Sequence, residues 1–140
     1  MKVLLDTCVV LDYLMNREGF VDGAEEILEK CACQELNGFL TAKSISDIFY
    51  LYRKYTKDAA FACQQINSLL SILSLLDTTK EDVQNALALP YTNDFEDDLM
   101  METSLREKMD LIVTRNLKNY SVSPVKVLSP NQFLQTEEEL

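Results

Sequence analysis

The residues of this chain that could do chemistry are carboxylates placed at strand ends or in the first turns of helices. Asp6 follows a short apolar run, Asp47 lies early in a helical segment, and Asp97 lies in the first turns of another. In a parallel sheet these positions come together at one edge. Clustered carboxylates repel one another unless they are protonated or bind cations, and oxygen ligands suit Mg²⁺ or Mn²⁺. Such a site activates a water and stabilises a pentacovalent phosphate, so the pattern predicts phosphodiester hydrolysis.

The densest group of acids lies in residues 93–116. Asn93, with Glu96 three residues later, is a helix-start signature that predicts a helix running to about Met109. Acids are favoured in its first turns by the helix dipole. On a helical wheel Asp98 falls among the apolar side chains, whereas Asp97 lies at the edge of that arc. The pattern therefore leaves open which of these two acids belongs to the site.

Polar residues follow two of the predicted strands. Residues 111–113 are apolar and predict a short buried strand that ends at Thr114, Arg115 and Asn116. Thr7 has the equivalent place after the first strand, directly behind Asp6. Because ligands of open α/β sheets bind at the carboxyl ends of the strands, these residues are candidates for a role beside the acids.

Helix capping is the alternative explanation for the acids. Acids at helix starts are common, and for any one of them alone capping is the better interpretation. The group as a whole favours the metal site, because Thr7 and residues 114–116 occupy equivalent strand ends.

Composition excludes several kinds of chemistry. The chain has no histidine, which rules out a Ser-His-Asp triad, a Cys-His pair and a zinc site with histidine ligands. Its four cysteines lack the spacing of a disulfide framework or a metal knuckle, so we expect buried thiols in a reducing cytosol. The net charge of −10 argues against a nucleic-acid partner until the acids of a metal site and of the C-terminus are set aside.

Short apolar runs alternate with helical patterns along the whole chain. Strands are predicted at residues 3–5, 39–41, 75–76, 111–113 and 125–128. Helices are predicted after Asp6, at residues 21–34 with a close at Asn37 and Gly38, at 44–55, 58–73, 79–90 and 93–109, and from Pro130 onward. The economical architecture is an α/β fold in which helices flank a short, mostly parallel central sheet on both faces.

A third group of residues combines aromatic rings with positive charge. It consists of Tyr50, Tyr52, Arg53, Lys54, Tyr55 and Lys57. These side chains could hold single-stranded RNA. A core-facing tyrosine stripe with a solvated basic edge explains them equally well.

The chain is expected to form one domain over residues 1–136, followed by an acidic tail at 137–140. Neither a signal peptide nor a membrane span is recognisable, because Asp6 and Asp12 interrupt the apolar N-terminal segment. We therefore expect a cytoplasmic protein without a membrane partner.

Five motifs, taken in order, resemble those of a PIN domain of the small stand-alone type related to VapC toxins. They lie at residues 4–7, 44–50, 94–97, 112–116 and 128–134. The resemblance implies a PIN-like three-layer fold and a Mg²⁺- or Mn²⁺-dependent ribonuclease. Proteins of this type are often the toxin of a type II toxin–antitoxin pair, which implies RNA as substrate, a cognate antitoxin as partner and a homodimer.

The resemblance also assigns roles by motif position. The four acid positions of the family fall on Asp6, Asp47, Asp97 and Asn116. Asp6 and Asp97 would be the primary metal ligands with help from Asp94, while Asp47 would orient the metal-bound water. Residues that would contact the substrate are Thr7, Thr114 and Arg115.

The chain departs from the family pattern at two of the acid positions. The second acid is more often glutamate, and the shorter Asp47 reaches a metal less easily. The fourth position is the neutral Asn116, and the later acid of many relatives is Asn119 here. The rival hypothesis is therefore a PIN-like module that binds RNA or a protein without cleaving. A receiver domain is disfavoured, because Asp6 is followed by Thr7 rather than by a second acid.

Overall fold

The computed structural model describes residues 1–88 and 90–138, with only the backbone of residue 138. Five strands form one sheet in the order β3-β2-β1-β4-β5, and every neighbouring pair is parallel. The strands are β1 (Lys2–Leu5), β2 (Asn37–Thr41), β3 (Ser74–Leu76), β4 (Leu111–Val113) and β5 (Val127–Leu128). The predicted α/β architecture is confirmed.

Seven α-helices and one 3₁₀ helix connect and cover these strands within the described residues. The α-helices are α1 (Thr7–Leu14), α2 (Val21–Ala32), α3 (Ala42–Thr56), α4 (Ala59–Leu69), α5 (Lys80–Ala88), α6 (Phe95–Arg106) and α7 (Pro130–Glu138). The 3₁₀ helix spans Leu117–Tyr120 and follows β4. Within the described residues, no helix is long and apolar enough to cross a membrane.

Alternation along the strands creates a core on each face of the sheet. Val3 and Leu5 of β1 pack in the larger core, together with buried side chains of α1–α4 and α7. Leu4, which points to the opposite face, packs with Ile112 of β4 and Met101 of α6 in the smaller core. Helices therefore lie on both faces, and α3 and α6 approach the carboxyl edge of β1 from opposite sides.

The strand order brings the polar residues that follow β1 and β4 to the point between these two strands where the order across the sheet reverses. The chain leaves β1 toward β2 on one side, whereas β4 pairs with β1 on the other side. This reversal opens a crevice beyond the carboxyl ends of β1 and β4, where ligands of such sheets bind. The backbone N–H of Asp6 donates to the carbonyl of Val113 at 3.0 Å, which fixes the two strand ends side by side.

Several predicted boundaries are wrong at helix ends. The cap of α6 is Asp94 rather than Asn93, and the helix ends at Arg106 because Lys108 takes a left-handed conformation at φ 55°. Helix α4 ends at Leu69 rather than residue 73, and β5 begins at Val127 rather than residue 125. The sequence predicts that Pro90 ends α5. The structure describes this helix up to Ala88, and residue 89 lies outside the described residues.

Gly38 does not close α2 as the sequence pattern suggested. Helix α2 ends at Ala32, and Gly38 instead lies inside β2. A Cβ atom at position 38 would come within 2.6 Å of both the Cys31 Sγ atom and a methyl group of Leu73. The glycine therefore permits a close approach of helix to strand.

The prediction that the cysteines are buried holds only in part. All four are free thiols, and Cys31 is buried. Cys8 is half-buried, whereas Cys33 and Cys63 are exposed, which contradicts the prediction. The helical pattern misses this because α2 ends at Ala32, which leaves Cys33 in the turn after the helix, and because Cys63 lies on the exposed side of α4.

Candidate active site

Asp6 lies at the carboxyl end of β1, where it caps α1. Its Oδ1 atom accepts the N–H of Thr7 at 2.7 Å, and its Oδ2 atom accepts the Thr114 hydroxyl at 2.7 Å. The Cys8 thiol lies 3.9 Å from the same Oδ2 atom. A strand end, a helix start and the neighbouring strand therefore fix both oxygens of this carboxylate.

Asp97 lies in the first turn of α6 and faces the same crevice. Its side chain is only 8% exposed. The Asn119 amide donates to its Oδ2 atom at 2.8 Å, and the Tyr120 hydroxyl donates to its Oδ1 atom at 3.0 Å. The 3₁₀ helix after β4 thus orients the carboxylate, as Thr114 does for Asp6.

Asp98, the alternative to Asp97, points elsewhere. It is 2% exposed, and its Oδ1 atom accepts the backbone N–H groups of Tyr91 and Thr92 and the Thr92 hydroxyl. Asp98 therefore ties the preceding loop to α6. The helical wheel correctly placed Asp98 among buried side chains, but its carboxylate binds the preceding loop and does not face the crevice.

A cavity of about 290 Å³ opens between α3 and α6 at this edge of the sheet. Its acidic lining residues are Asp6, Asp47, Glu96 and Asp97, and its hydroxyl-bearing ones are Thr7, Thr41, Ser44, Tyr50 and Thr103. Lys43 lines the same cavity. Oxygen ligands and one ammonium group surround a space large enough for a phosphodiester group.

The two central carboxylates are electrostatically strained. Burial raises the pKa of Asp6, the charge of Asp94 adds to the rise, and the bonds from Thr114, Thr7 and Cys8 only partly offset it. Burial also raises the pKa of Asp97; the hydrogen bonds from Asn119 and Tyr120 offset this rise only in part, and the charges of Asp6 and Asp94 add to it. A proton or a cation between these carboxylates would relieve the repulsion.

Asp47 reaches the cavity from α3 already paired with a base. Lys43, one helical turn earlier, places its Nζ atom 2.7 Å from the Asp47 carboxylate and 3.6 Å from that of Glu96. Burial tends to lower the pKa of Lys43, but the hydrogen bonds and charges of Asp47 and Glu96 together outweigh it and raise the pKa. The carboxylate at the second acid position, Asp47, is therefore already neutralised by the ammonium group of Lys43.

Asp94 is exposed, and its Oδ1 atom accepts the N–H groups of Glu96 at 3.0 Å and Asp97 at 3.4 Å. Among residues 1–88 and 90–138, no three acidic or cysteine side chains lie close enough together to hold a metal ion. Of the predicted ligands, Asp6 and Asp97 face one cavity, whereas Asp94 acts as a helix cap. Two carboxylates still fit Mg²⁺, which commonly keeps several waters and takes one or two carboxylates plus substrate phosphate.

Arg115 and Asn116 are not among the residues that line the cavity. The Arg115 guanidinium makes two bonds to Asp12, at 2.6 and 2.9 Å, and stacks 3.9 Å from the centroid of the Phe20 ring. Asn116 is exposed, makes no side-chain hydrogen bond among the described residues, and donates its backbone N–H to the Thr114 hydroxyl. The structure thus brings Thr7 and Thr114 to Asp6 but directs Arg115 to a different contact.

Sequence reasoning missed three residues of the site. Lys43 carried a usable signal, because a base four residues before an acid on a helix forms an ion pair. Asn119 was noted only as a lost acid, and Tyr120 was not noticed, because a 3₁₀ helix of four residues has no periodicity to detect.

The family can be decided by comparison with known proteins. The family model described as "PIN domain" matches residues 2–118 of this chain. The chain belongs to the PIN domain family. The resemblance inferred from the five motifs is thereby confirmed.

Solved structures show the same PIN-like fold. One is a chain of a toxin–antitoxin complex from Klebsiella pneumoniae, 19% identical in sequence. The match covers 91% of this chain and 97% of the Klebsiella chain, with a TM-score of 0.70. VapBC2 from Rickettsia felis, bound to a DNA fragment from its promoter, is 18% identical, with coverages of 92% and 98% and a TM-score of 0.69. VapC20 from Mycobacterium tuberculosis, described as a sarcin–ricin loop cleaving toxin, is 11% identical, with coverages of 79% and 86% and a TM-score of 0.61. A comparison with curated proteins finds no match.

Proposed function

We propose that this PIN domain is a Mg²⁺- or Mn²⁺-dependent endoribonuclease that hydrolyses RNA phosphodiester bonds in the cytoplasm. The observation that carries the proposal is the pair Asp6 and Asp97, two carboxylates with raised pKa values that face one cavity. Family membership supports the same reaction class.

Asp6 and Asp97 would hold the divalent cation. The bound ion would lower the pKa of a water and stabilise the charge that develops on the phosphate. Thr114 and Asn119 each donate a hydrogen bond to one oxygen of these carboxylates, which orients the carboxylates and favours their ionised form. Preset orientation matters because the ligands then need not reorganise when the substrate arrives.

The other walls of the cavity would position the phosphate and the attacking water. Lys43 offers the one ammonium group among the lining residues, and we assign it to a non-bridging oxygen of the scissile phosphate. Asp47, held by Lys43 at 2.7 Å, would accept a hydrogen bond from the attacking water. Thr7 would donate its hydroxyl to the substrate. We assign no step to Arg115 or Asn116.

A toxin role and an antitoxin partner are proposed on the likeness to toxin–antitoxin complexes. We also propose that the toxin forms a homodimer, which sedimentation of the purified chain would test. A small antitoxin-type reading frame directly upstream, and purification of its product with this chain on co-expression, would support the toxin role. If the chain purifies alone with no such neighbour, the toxin role is wrong even where the nuclease stands.

The alternative is a PIN-like module that binds RNA or a protein without cleaving. The observation that favours it is the amide at each late acid position, Asn116 and Asn119. A neutral amide supplies less charge to a metal than a carboxylate does.

Cleavage of end-labelled RNA separates the two functions. We expect cleavage in Mg²⁺ or Mn²⁺ and none in EDTA, with single-stranded DNA of the same sequence as the comparison substrate. RNA binding without cleavage in either metal would favour the binding module, and cleavage that persists in EDTA would exclude the metal mechanism.

A further inference from the structure

The exposed face of α3 carries a row of charged and aromatic residues that begins inside the candidate active site. The row, here called the α3 stripe, consists of Lys43, Asp47, Tyr50, Lys54 and Lys57. The first four members are spaced four, three and four residues apart, so at about 3.6 residues per turn they lie within an arc of roughly 60°. Lys57 follows directly after the last helical residue, Thr56. At a rise of about 1.5 Å per residue the stripe is about 21 Å long.

The α3 stripe is continuous with the cavity. Lys43, Asp47 and Tyr50 line the cavity together with Asp6 and Asp97. Tyr50 is 57% exposed, and the Lys54 ammonium lies 5.5 Å from the centroid of its ring. Lys57 is exposed and caps the end of the helix. A chain that leaves the cavity along this face meets an aromatic ring and then two cations.

The positive charge at the far end of the stripe is not neutralised by the protein. Lys43 is paired with Asp47 and Glu96, whereas Lys54 and Lys57 form no ion pair with any acid among residues 1–88 and 90–138. The neighbouring Arg53 is likewise unpaired within that part of the chain. Within the described part of a chain of net charge −10, these three bases, which lie within five residues and form no ion pair, make a local positive surface. Its charge is complementary to a polyanion.

We propose that the α3 stripe is the path along which single-stranded RNA enters the active site, with one base stacked on Tyr50 and backbone phosphates on Lys54 and Lys57. The inference rests on the proposed ribonuclease function and specifies how its substrate lies. Aromatic rings interleaved with cations are what non-specific single-strand binding uses, because stacking tolerates any base and cations follow the backbone.

The structure separates this stripe from the rest of the aromatic and basic cluster singled out in the sequence. Tyr52 is buried and stacks with Tyr55 at a centroid distance of 6.2 Å, and Phe61 of α4 lies 6.3 Å from Tyr52. Tyr52 and Tyr55 therefore lie on other sides of α3, and Tyr52 packs against α4. Of the three tyrosines in that cluster, only Tyr50 combines exposure, a neighbouring cation and a place on the cavity lining.

The test uses the full chain carrying Asp97→Asn, which prevents cleavage, and a fluorescent single-stranded RNA oligomer. Fluorescence anisotropy gives the Kd at several salt concentrations for this background and for three additions: Tyr50→Ala, Lys54→Glu with Lys57→Glu, and Lys126→Glu. Lys126 is exposed and directly precedes β5, so its reversal is a single-charge control outside the stripe.

We expect Tyr50→Ala to weaken binding about tenfold, as loss of one stacking contact does. The affinity falls as salt rises, with a slope of log K against log salt of about −0.7 for each phosphate contact on a single strand. Loss of two contacts in the double reversal should therefore make this slope about 1.4 less steep. Lys126→Glu should leave that slope unchanged.

The path is wrong if the stripe variants bind RNA as the Lys126→Glu control does, or if the Asp97→Asn background binds no RNA. It is also wrong if the stripe variants change only the sedimentation of the protein, because the face would then be a protein interface. Cleavage by the wild type is scored separately. Stripe-dependent binding without cleavage would therefore retain the path and reject the nuclease.

Discussion

Replacing Asn119 by aspartate exchanges the amide that bonds Asp97 for a second carboxylate. In the wild type the Asn119 amide donates to Asp97 Oδ2 at 2.8 Å. Asn119→Asp removes a hydrogen bond to a charged group, worth about 1.5–3 kcal/mol, and adds a like charge. Without metal, the unfolding free energy should fall by at least that amount, which corresponds to roughly 6–12 °C in Tm at this chain length.

Mn²⁺ should reverse much of this loss. A carboxylate at position 119 faces Asp97 and offers the bound ion another oxygen ligand, so the variant should gain more from Mn²⁺ than the wild type does. A ligand that binds only the folded state stabilises it by about 2.7 kcal/mol at a concentration 100 times its Kd. A tenfold lower Kd adds about 1.4 kcal/mol.

Thermal melts in EDTA and in millimolar Mn²⁺ test this pair of effects. Asn116→Asp is the matched control, since Asn116 is exposed and its side chain makes no hydrogen bond among the described residues. Its effect should stay within about 0.5 kcal/mol in both buffers. The reasoning is refuted if both variants melt alike in EDTA, or if Asn116→Asp shows the larger gain from Mn²⁺.

Two further substitutions test the hydrogen bonds around α6. Tyr120→Phe keeps the ring but removes the hydroxyl that donates to Asp97 at 3.0 Å, so urea unfolding should show a loss of about 1.5–3 kcal/mol, and an unchanged midpoint would contradict the contact. Burial tends to raise the pKa of Asp82, but hydrogen bonds from Arg106, the Thr79 backbone N–H and Thr103, with the charge of Arg106, outweigh it and lower the pKa below its ordinary 3.8. The stability from these bonds is present above pH 3.8 and is lost as the pH falls further, so the gap between wild type and Asp82→Asn in acid denaturation should shrink below about pH 4. A gap that widens in acid would reverse the assigned sign.

The fold could be predicted because each level of the sequence indicates the same architecture. Residues 111–113 are apolar, short and followed by polar residues, and they form β4 as predicted. Boundaries were less predictable, since they depend on single side chains. Asn93 and Asp94 are both good caps, and only the observed bonds from Glu96 and Asp97 to Asp94 decide between them.

Only those residues of the candidate site that directly follow a strand could be predicted to lie together. Asp6 and Thr114 follow adjacent parallel strands, so their contact follows from the topology. The helical wheel placed Asp98 deeper in the apolar arc than Asp97 but could not decide which acid belongs to the site, because both are buried and they differ in the partners they meet. Those partners, Thr92 for Asp98 and Tyr120 for Asp97, lie in loops and a 3₁₀ turn without sequence periodicity.

The most direct test of the account compares RNA cleavage by Asp97→Asn and Asp98→Asn, two neighbouring variants with the same chemical change. With Mn²⁺, Asp97→Asn should lose more than the roughly 100-fold that removal of an outer-shell partner costs, because a proposed metal ligand is lost. Asp98→Asn keeps an acceptor oxygen for Tyr91 and Thr92, so it should retain most of the wild-type rate and lose about 1 kcal/mol of stability. An active Asp97→Asn beside an inactive, folded Asp98→Asn would contradict the proposed site.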